Sequence, residues 1–322
     1  MPPEVTVVIV TRDRWPLMAA TALAAALCQQ RVELEVIVVD DGSTDDMPAR
    51  LSGLDDPRVR VVRHAAPRGV AAARNAGIRG SHSDWVAFLD DDDVWSPHKL
   101  RAQLDAARAA GAGFAYAGAA WVDDQLRLVN GLAPPEPATL AAALLRWNVL
   151  WGGASNVLAR TELVRSLGGF DERLFQIADW DLWIRLALAA RGAAIEDVLV
   201  ALLVHSRSML FVDRRDVFSE FGYLIAKHRR ASESAGVEFD RARFARWAAT
   251  GHLRAGRRFS AARTYVRGTC ALGNVVRAGG AFLGAPAFAA ASALRGAVPG
   301  AGADAERVVQ RPDWLDLYRL DR

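Results

Sequence analysis

Four consecutive carboxylates, Asp90, Asp91, Asp92 and Asp93, follow the apolar run at residues 85–89. Like charges this close repel, raise one another's pKa and cost stability unless a cation offsets them. Hard oxygen ligands select Mg2+ or Mn2+, and one or two carboxylates plus a ligand's phosphates form the usual set. The plain alternative is a solvated acidic turn, or caps for a helix that opens near Ser96. A second acidic turn, Asp40-Asp41-Gly42-Ser43, also follows an apolar run. A carboxylate there can accept the N–H of a nucleobase or bind a ribose hydroxyl. An Asp/Gly/Ser turn that caps a helix is the competing explanation. Two acidic strand ends so near in sequence point to a nucleotide cleft. Further along, Asp181 has Arg185 at i+4, the spacing of a helix-surface ion pair, whereas Asp179 has Leu182 and Trp183 at i+3 and i+4. Asp179 is therefore a candidate general base or a helix cap, and a first-turn position predicts a lowered pKa.

These residues need elements to hold them. Residues 4–11, 34–40, 58–63 and 85–89 are β-rich runs, with helical patterns at 15–29, weakly at 45–52, and at 70–79. Apolar strands separated by helices predict a parallel sheet covered on both faces, with ligands beyond the carboxyl ends of the strands. Ser96-Pro97 reads as the opening of a helix that runs to about residue 110. After Gly113 short strands are expected at 114–116, 119–122, 126–129 and 155–159, and helices at 138–147, 161–167 and 179–190. From about residue 213 the pattern is helical and rich in Arg and Ala.

Composition bounds the rest. The chain has 322 residues, 52% of them hydrophobic, with 24% charged, which excludes a mostly disordered chain. Two cysteines, Cys28 and Cys270, exclude a disulfide scaffold and a Cys-rich zinc module. Residues 1–4 lack a basic region, so no secretory leader is read there. The formal charge of +3 averages two unlike parts: ten arginines and no acidic residue lie between Arg241 and Ala303, leaving −7 for the remainder.

Several segments in fixed order resemble one family. VIVVDDGSTDD, RGVAAARNAGI and WVAFLDDDDVWSPHKL, followed by LVRSLGGFDERL and IADWDLWIRLA, are similar to the inverting family-2 glycosyltransferases of the GT-A fold. The resemblance covers roughly residues 4–206. It implies an α/β fold, a Rossmann-like mixed sheet flanked by helices, with a donor half (about 1–125), an acceptor half (about 126–206) and a helical extension over 207–322. It implies a metal-dependent transfer from a nucleoside diphosphate sugar to an acceptor hydroxyl of a saccharide, a lipid-linked glycan or another molecule. Residue by residue, Thr11, Asp13, Asp40 and Asp41 fall on the base and ribose side, and Arg74 approaches the donor. Asp90, Asp91 and Asp92 form the Asp-x-Asp region, with Asp92 the direct ligand of Mn2+ or Mg2+, helped by Asp90 and His205. Arg207 is a candidate at the same phosphate. Asp179 falls at the catalytic base, and Trp151, Gly153 and Trp180 are candidates for the acceptor side. The first loop reads Thr11-Arg12-Asp13-Arg14 where Thr-Tyr-Asn-Arg is usual, and Ala178-Asp179 stands where Glu-Asp is common.

The basic region 241–303 interleaves arginines with aromatic and aliphatic residues, which suits an anionic membrane surface. A helical extension with a solvated Arg face is the alternative, and no nucleic-acid motif is present. Residues 278–294 are uncharged but too short and too rich in small residues for a membrane span. The expected location is cytoplasmic, peripheral on the inner face of the cell membrane. A sugar-nucleotide pyrophosphorylase would carry a Gly-rich loop after the first strand, and this chain has none. A non-catalytic sugar-nucleotide sensor would have no use for both the acidic cluster and Asp179.

Overall fold

The computed structural model describes residues 2–204, 216–254, 256–268, 277 and 310–318. The chain divides into two compact units. One comprises Met1–Leu144, Val149–Val204 and Val308–Arg322; the other comprises Leu145–Asn148 and His205–Arg307.

In the first unit, β1 (Val5–Thr11), β2 (Leu34–Asp40), β3 (Val59–Arg63) and β4 (Trp85–Asp90) run parallel in the order β3-β2-β1-β4. The inner three strands are buried on both faces, so their sequences read as continuous apolar runs. The edge strand β3 carries Arg60 and Arg63 among its valines and is half-buried to exposed, as an edge that resists further pairing requires. Between β1 and β2 a helical stretch runs through α1 (Trp15–Met18), a π-turn (Ala19–Leu23) and α2 (Ala24–Leu27). The weak helical signal after β2 becomes α3 (Met47–Ser52). Helix α4 (Val70–Gly80) lies on β1 and β2. A Cβ at Gly77 would collide with Cγ1 of Val8, so only glycine lets this helix press onto the sheet.

The sheet continues through β8 (Leu158–Arg160), β6 (Phe114–Val122), β9 (Gly192–Leu203) and β5 (Asp93–Trp95), with β7 (Leu128–Leu132) paired to β6. Strand β8 is antiparallel to β4 and β6, β5 is antiparallel to β9, and β6 runs parallel to β9. The result is a mixed nine-stranded sheet. Helices α5 (Lys99–Ala109), α6 (Leu140–Arg146), α7 (Thr161–Ser166) and α8 (Ala178–Ala189) complete this half.

Four local expectations change. The two short strands predicted at 114–122 are one strand, irregular in register at Gly118, where carbonyl oxygens of Glu196 and Asp197 stand about 3 Å from a would-be Cβ. Residues 153–156 form a 3-10 turn before β8, not the start of a strand. Helix α5 begins at Lys99 after His98, and Ser96 supplies the preceding turn by accepting the Lys99 N–H at its carbonyl. Strand β9 is absent from the sequence reading because its alanines and the Glu196-Asp197 pair interrupt the β-branched pattern.

The segment at 310–318 belongs with the first unit although its sequence follows the helical region. Leu315 and Tyr318 join the main core, Trp314 Nε1 donates to the Val198 carbonyl at 2.9 Å, and Tyr318 Oη donates to the Trp95 carbonyl at 2.6 Å. In the second unit α9 (Val217–Ala235) and α10 (Arg241–Arg254) pack through Phe221 and Phe244, whose rings stack at 3.8 Å, and α11 (Arg258–Gly268) packs on α10 through Ala261, Tyr265 and Ala249. Among the described residues no helix is long and apolar enough to cross a membrane. His205, Arg207 and residues 278–294 lie outside the described residues.

Candidate active site

Parallel registry brings the separated acidic segments to one sheet edge. Thr11 aligns with Asp40, and Val10 with Asp90, so the ends of β2, β1 and β4 form a continuous rim.

On the β2 side the loops are stitched together by carboxylates. Asp13, at φ 53, accepts the N–H groups of Thr44 at 2.7 Å and Asp45 at 3.3 Å, which hold its carboxyl below the usual range. Asp40 accepts the Ser43 N–H at 2.8 Å, while its buried Oδ2 makes no hydrogen bond and has Arg63 at 3.5 Å. Asp41 takes the N–H groups of Arg68 and Gly69 at 2.9 and 2.8 Å, with His64 Nδ1 at 2.7 Å. Burial alone would raise the Asp41 carboxyl, but these three donors outweigh it and keep the carboxylate form. Asp41 thus organises the loop that leads into α4.

On the β4 side the acidic quartet alternates. Asp91 and Asp93 are buried, whereas Asp90 and Asp92 keep partial exposure. Thr11 Oγ1 donates to Asp91 at 2.8 Å, and Arg14 Nη1 reaches Asp91 at 2.6 Å and Asp92 at 3.3 Å. Burial, then the Asp92 charge, pushes Asp91 up to about 7 against the pull of Arg14 and Thr11. Burial likewise raises Asp93, whose Oδ2 accepts the Ser155 hydroxyl at 2.5 Å; the same oxygen of Ser155 accepts the Asp90 N–H at 3.0 Å. The π-turn contributes Thr21, which donates to the Asp91 carbonyl at 2.9 Å.

Helix α4 explains the Arg-Asn-Ala-Gly run. Arg74 is nearly buried, bonds Asp90 Oδ1 at 2.5 Å and lies 5.1 Å over the Phe170 ring. Asn75 clamps the Gly-Gly-Phe turn, accepting the Phe170 N–H at 2.8 Å and donating to its carbonyl at 2.9 Å. Gly169, at φ +68, has Asn75 Oδ1 where a Cβ would otherwise stand, so the clamp requires glycine there. Arg185 donates to the Leu167 and Gly169 carbonyls and pairs with Asp181 at 2.6 Å. Because Asp181 is fully buried, this ion pair is internal scaffolding, not the surface pair the spacing suggests.

Asp179 lies in the first turn of α8, whose N-cap position is Ile177. A Cβ on Gly153 would stand 3.4 Å from Asp179 Oδ2 and 3.9 Å from Asp90 Oδ2, so this left-handed glycine separates the two carboxylates with a minimum of bulk. Loss of solvent raises the Asp179 carboxyl, Arg74 and the Trp180 N–H pull it back, and the balance lies at about 6. The lowered pKa expected from the helix position is therefore overturned by burial. Its value suits a proton acceptor at neutral pH.

The partly exposed pair Asp90 and Asp92 offers the two hard carboxylates that a divalent cation takes when a diphosphate supplies further oxygens. Among the described residues no group of three His, Cys, Asp or Glu side chains is arranged to hold a metal unaided.

The family model described as "Glycosyl transferase family 2" matches residues 6–166, half of the chain. The chain belongs to glycosyl transferase family 2. Among curated relatives of this family member, the succinoglycan biosynthesis protein ExoO of Rhizobium meliloti is 33% identical over 215 residues, 64% of this chain and 61% of that protein. The Escherichia coli UDP-Glc:alpha-D-GlcNAc-diphosphoundecaprenol beta-1,3-glucosyltransferase WfgD is 25% identical over 167 residues, 52% of this chain and 63% of that protein. The chain thus spans under two thirds of the length of either. The crystal structure of S. aureus TarS 1-349 in complex with UDP matches with a TM-score of 0.52 at 16% identity, covering 91% of this chain and 88% of that one. That likeness carries the fold, a GT-A sheet flanked by helices, with additional carboxyl-terminal helices.

Within this family-2 framework the structure gathers Thr11, Asp13, Asp40, Asp41, Arg74, Asp90, Asp91, Asp92, Gly153 and Asp179 along the carboxyl ends of the strands and the facing turns. Trp180 does not join them. It is 2% exposed and donates from Nε1 to the Leu144 carbonyl, so it is a core residue, and its helical spacing with the buried Trp183 accounts for both. Trp151 is partly exposed and meets Trp121 edge-on at 5.4 Å. Ser155, His64 and Asn75 were missed by the sequence reading. Asn75 had a usable signal in its adjacency to Arg74; Ser155 and His64 act on partners more than 20 residues away and had none.

Proposed function

We propose that this family-2 enzyme transfers a sugar from a nucleoside diphosphate sugar to an acceptor hydroxyl in surface-glycan synthesis, by one inverting displacement. The observation that carries the reading is the convergence of Arg74-bound Asp90 and the elevated Asp179 around Gly153. Asp179 takes the acceptor hydroxyl proton as its oxygen forms a bond to the anomeric carbon. The bond from that carbon to the diphosphate breaks on the opposite face, and its electron pair leaves with the diphosphate. A Mn2+ or Mg2+ ion held by Asp90 and Asp92 would offset the charge of the departing group. Arg74 fixes the Asp90 carboxylate, and Arg14 fixes Asp92 from the other loop. Asp40, Asp41 and Asp13 shape the rim that would receive the base and ribose.

The named activities of the relatives support a saccharide or lipid-linked acceptor, and make a UDP-sugar the first donor to test. A lipid-linked acceptor would bring the protein to the cytoplasmic membrane surface, with the basic region as the contact. Calorimetry with UDP-, dTDP- and GDP-sugars in the presence of Mn2+ tests the donor assignment. One of them should bind in a metal-dependent manner, and no binding by any would overturn it.

A further inference from the structure

Strand β4 loses its β8 partner after Ala87, while its pairing with β1 runs on to Asp90. On that flank the 3-10 turn at Gly153–Asn156 takes over. Ser155 of this turn is fully buried; its Oγ accepts the Asp90 N–H at 3.0 Å and donates to Asp93 Oδ2 at 2.5 Å. A hydroxyl has a single proton, so accepting the amide hydrogen leaves that proton for Asp93. The Ser155 carbonyl accepts from Trp95 Nε1 at 2.8 Å. One residue thus grips positions 90, 93 and 95 and brackets the stretch that carries Asp92. A serine that only closed its turn would bond the turn's own backbone. Both hydroxyl bonds of Ser155 instead leave it, for residues 65 and 62 positions away. The turn is anchored from behind, because Asn156 accepts the Ala117 N–H and donates to the Ala117 carbonyl, each at 2.8 Å. Gln103 Nε2 donates to the Asn156 carbonyl at 2.7 Å.

We propose that Ser155 is a positioning residue for the metal-binding carboxylates. It holds the backbone at Asp90 and the side chain of Asp93, so that Asp90 and Asp92 meet a divalent cation in one geometry. Carboxylates that share a small cation must converge on it, and hydrogen bonds behind them set that convergence. Without the hydroxyl the segment between Asp90 and Asp93 gains freedom, and metal binding must then meet the cost of ordering it. The same turn presents Gly153 between the Asp90 and Asp179 carboxylates, so Ser155 also ties the metal side of the site to the base side. The proposal rests on the transfer reading above and adds a residue that acts through Asp90 and Asp93.

Calorimetric titration of the full chain with UDP-, dTDP- and GDP-glucose, with Mn2+ and with EDTA, tests it, beside thermal melts that establish folding at the titration temperature. Ser155→Ala keeps the carbonyl bond to Trp95, adds no bulk and removes only the hydroxyl. It should weaken the Mn2+-dependent donor affinity about 10–100-fold and leave the affinity in EDTA as in the parent. Ser155→Cys, close in shape but a weaker donor and acceptor, should fall between the parent and Ser155→Ala. Parent-like Mn2+-dependent affinity in folded Ser155→Ala would overturn the positioning role and leave the transferase reading standing. If Ser155→Ala does not fold, the same result in Ser155→Cys overturns it. Equal losses with Mn2+ and with EDTA would mark general damage to the turn and overturn it as well. A parent that binds none of the three donors with Mn2+ would overturn the donor reading, and the positioning role with it.

Discussion

At Asp179 two electrostatic tendencies compete: the first turn of α8 favours the ionised carboxylate, while burial beside Asp90 favours the proton. Burial is the stronger, and the carboxyl titrates near 6, above its ordinary 3.8. Asp179→Asn should retain donor binding and lose transfer by about 10²–10⁴ if the side chain is the general base; single-turnover kinetics beside calorimetry separates the two. The wild-type rate should fall as pH drops through about 6, because the base is then protonated. Stability moves the other way. A carboxyl raised in the folded state binds more protons there than when unfolded, so ionisation costs stability as pH rises between the two values. Asp179→Asn should consequently raise Tm at neutral pH, and the gain should vanish below about 4, as thermal melts at several pH values would reveal. Asp92→Ala should abolish the Mn2+-dependent part of donor affinity, measured by titration with and without the ion.

Elements are where the sequence was most and least informative. Strands β1, β2 and β4 were legible because they are buried on both faces, and β2 and β4 also terminate in acidic turns, where pattern and chemistry coincide. The approximate positions of α7 and α8 followed from the Gly-Gly break and apolar periodicity. Strands β5 and β9 were not legible. The first is three residues long and begins inside the acidic cluster, and the second is rich in alanine and carries an exposed Glu-Asp pair. Strand β5 pairs with β9 and β9 with both β5 and β6, which is tertiary information. Asn75 is a mixed case: its adjacency to Arg74 marks the position, but its partner lies in a turn 95 residues away. Its replacement by alanine leaves the Phe170 N–H and carbonyl without this partner, and should cost about 1–3 kcal/mol in denaturant unfolding. Gly153→Ala adds a methyl beside both carboxylates at a left-handed backbone position, with about 1–2 kcal/mol of strain. It should reduce kcat more than it raises donor KM, as steady-state kinetics with saturating acceptor would show.

For the whole molecule, the charge asymmetry divides between the units described above. Acidic side chains crowd the rim of the sheet, while the arginine-rich helices α10 and α11 belong to the other unit. A formal mean of +3 conceals that division. The return of residues 310–318 to the first unit gives the division a further meaning. Tyr318 and Trp314 bond to the backbone of β5 and β9, the elements that flank the acidic cluster. Removing residues 310–322 should lower the Tm of the sheet unit by several degrees, visible by calorimetry, with the helical unit's transition unchanged. In the order of synthesis, the sheet unit is interrupted: residues 205–307 leave the ribosome before its core side chains Leu315 and Tyr318 exist. The nascent protein must therefore hold an incomplete β5–β9 edge until residues 310–318 have been made. A chain halted before residue 310 would leave that edge uncovered, and a protease or chaperone that reads exposed strand edges would meet it there.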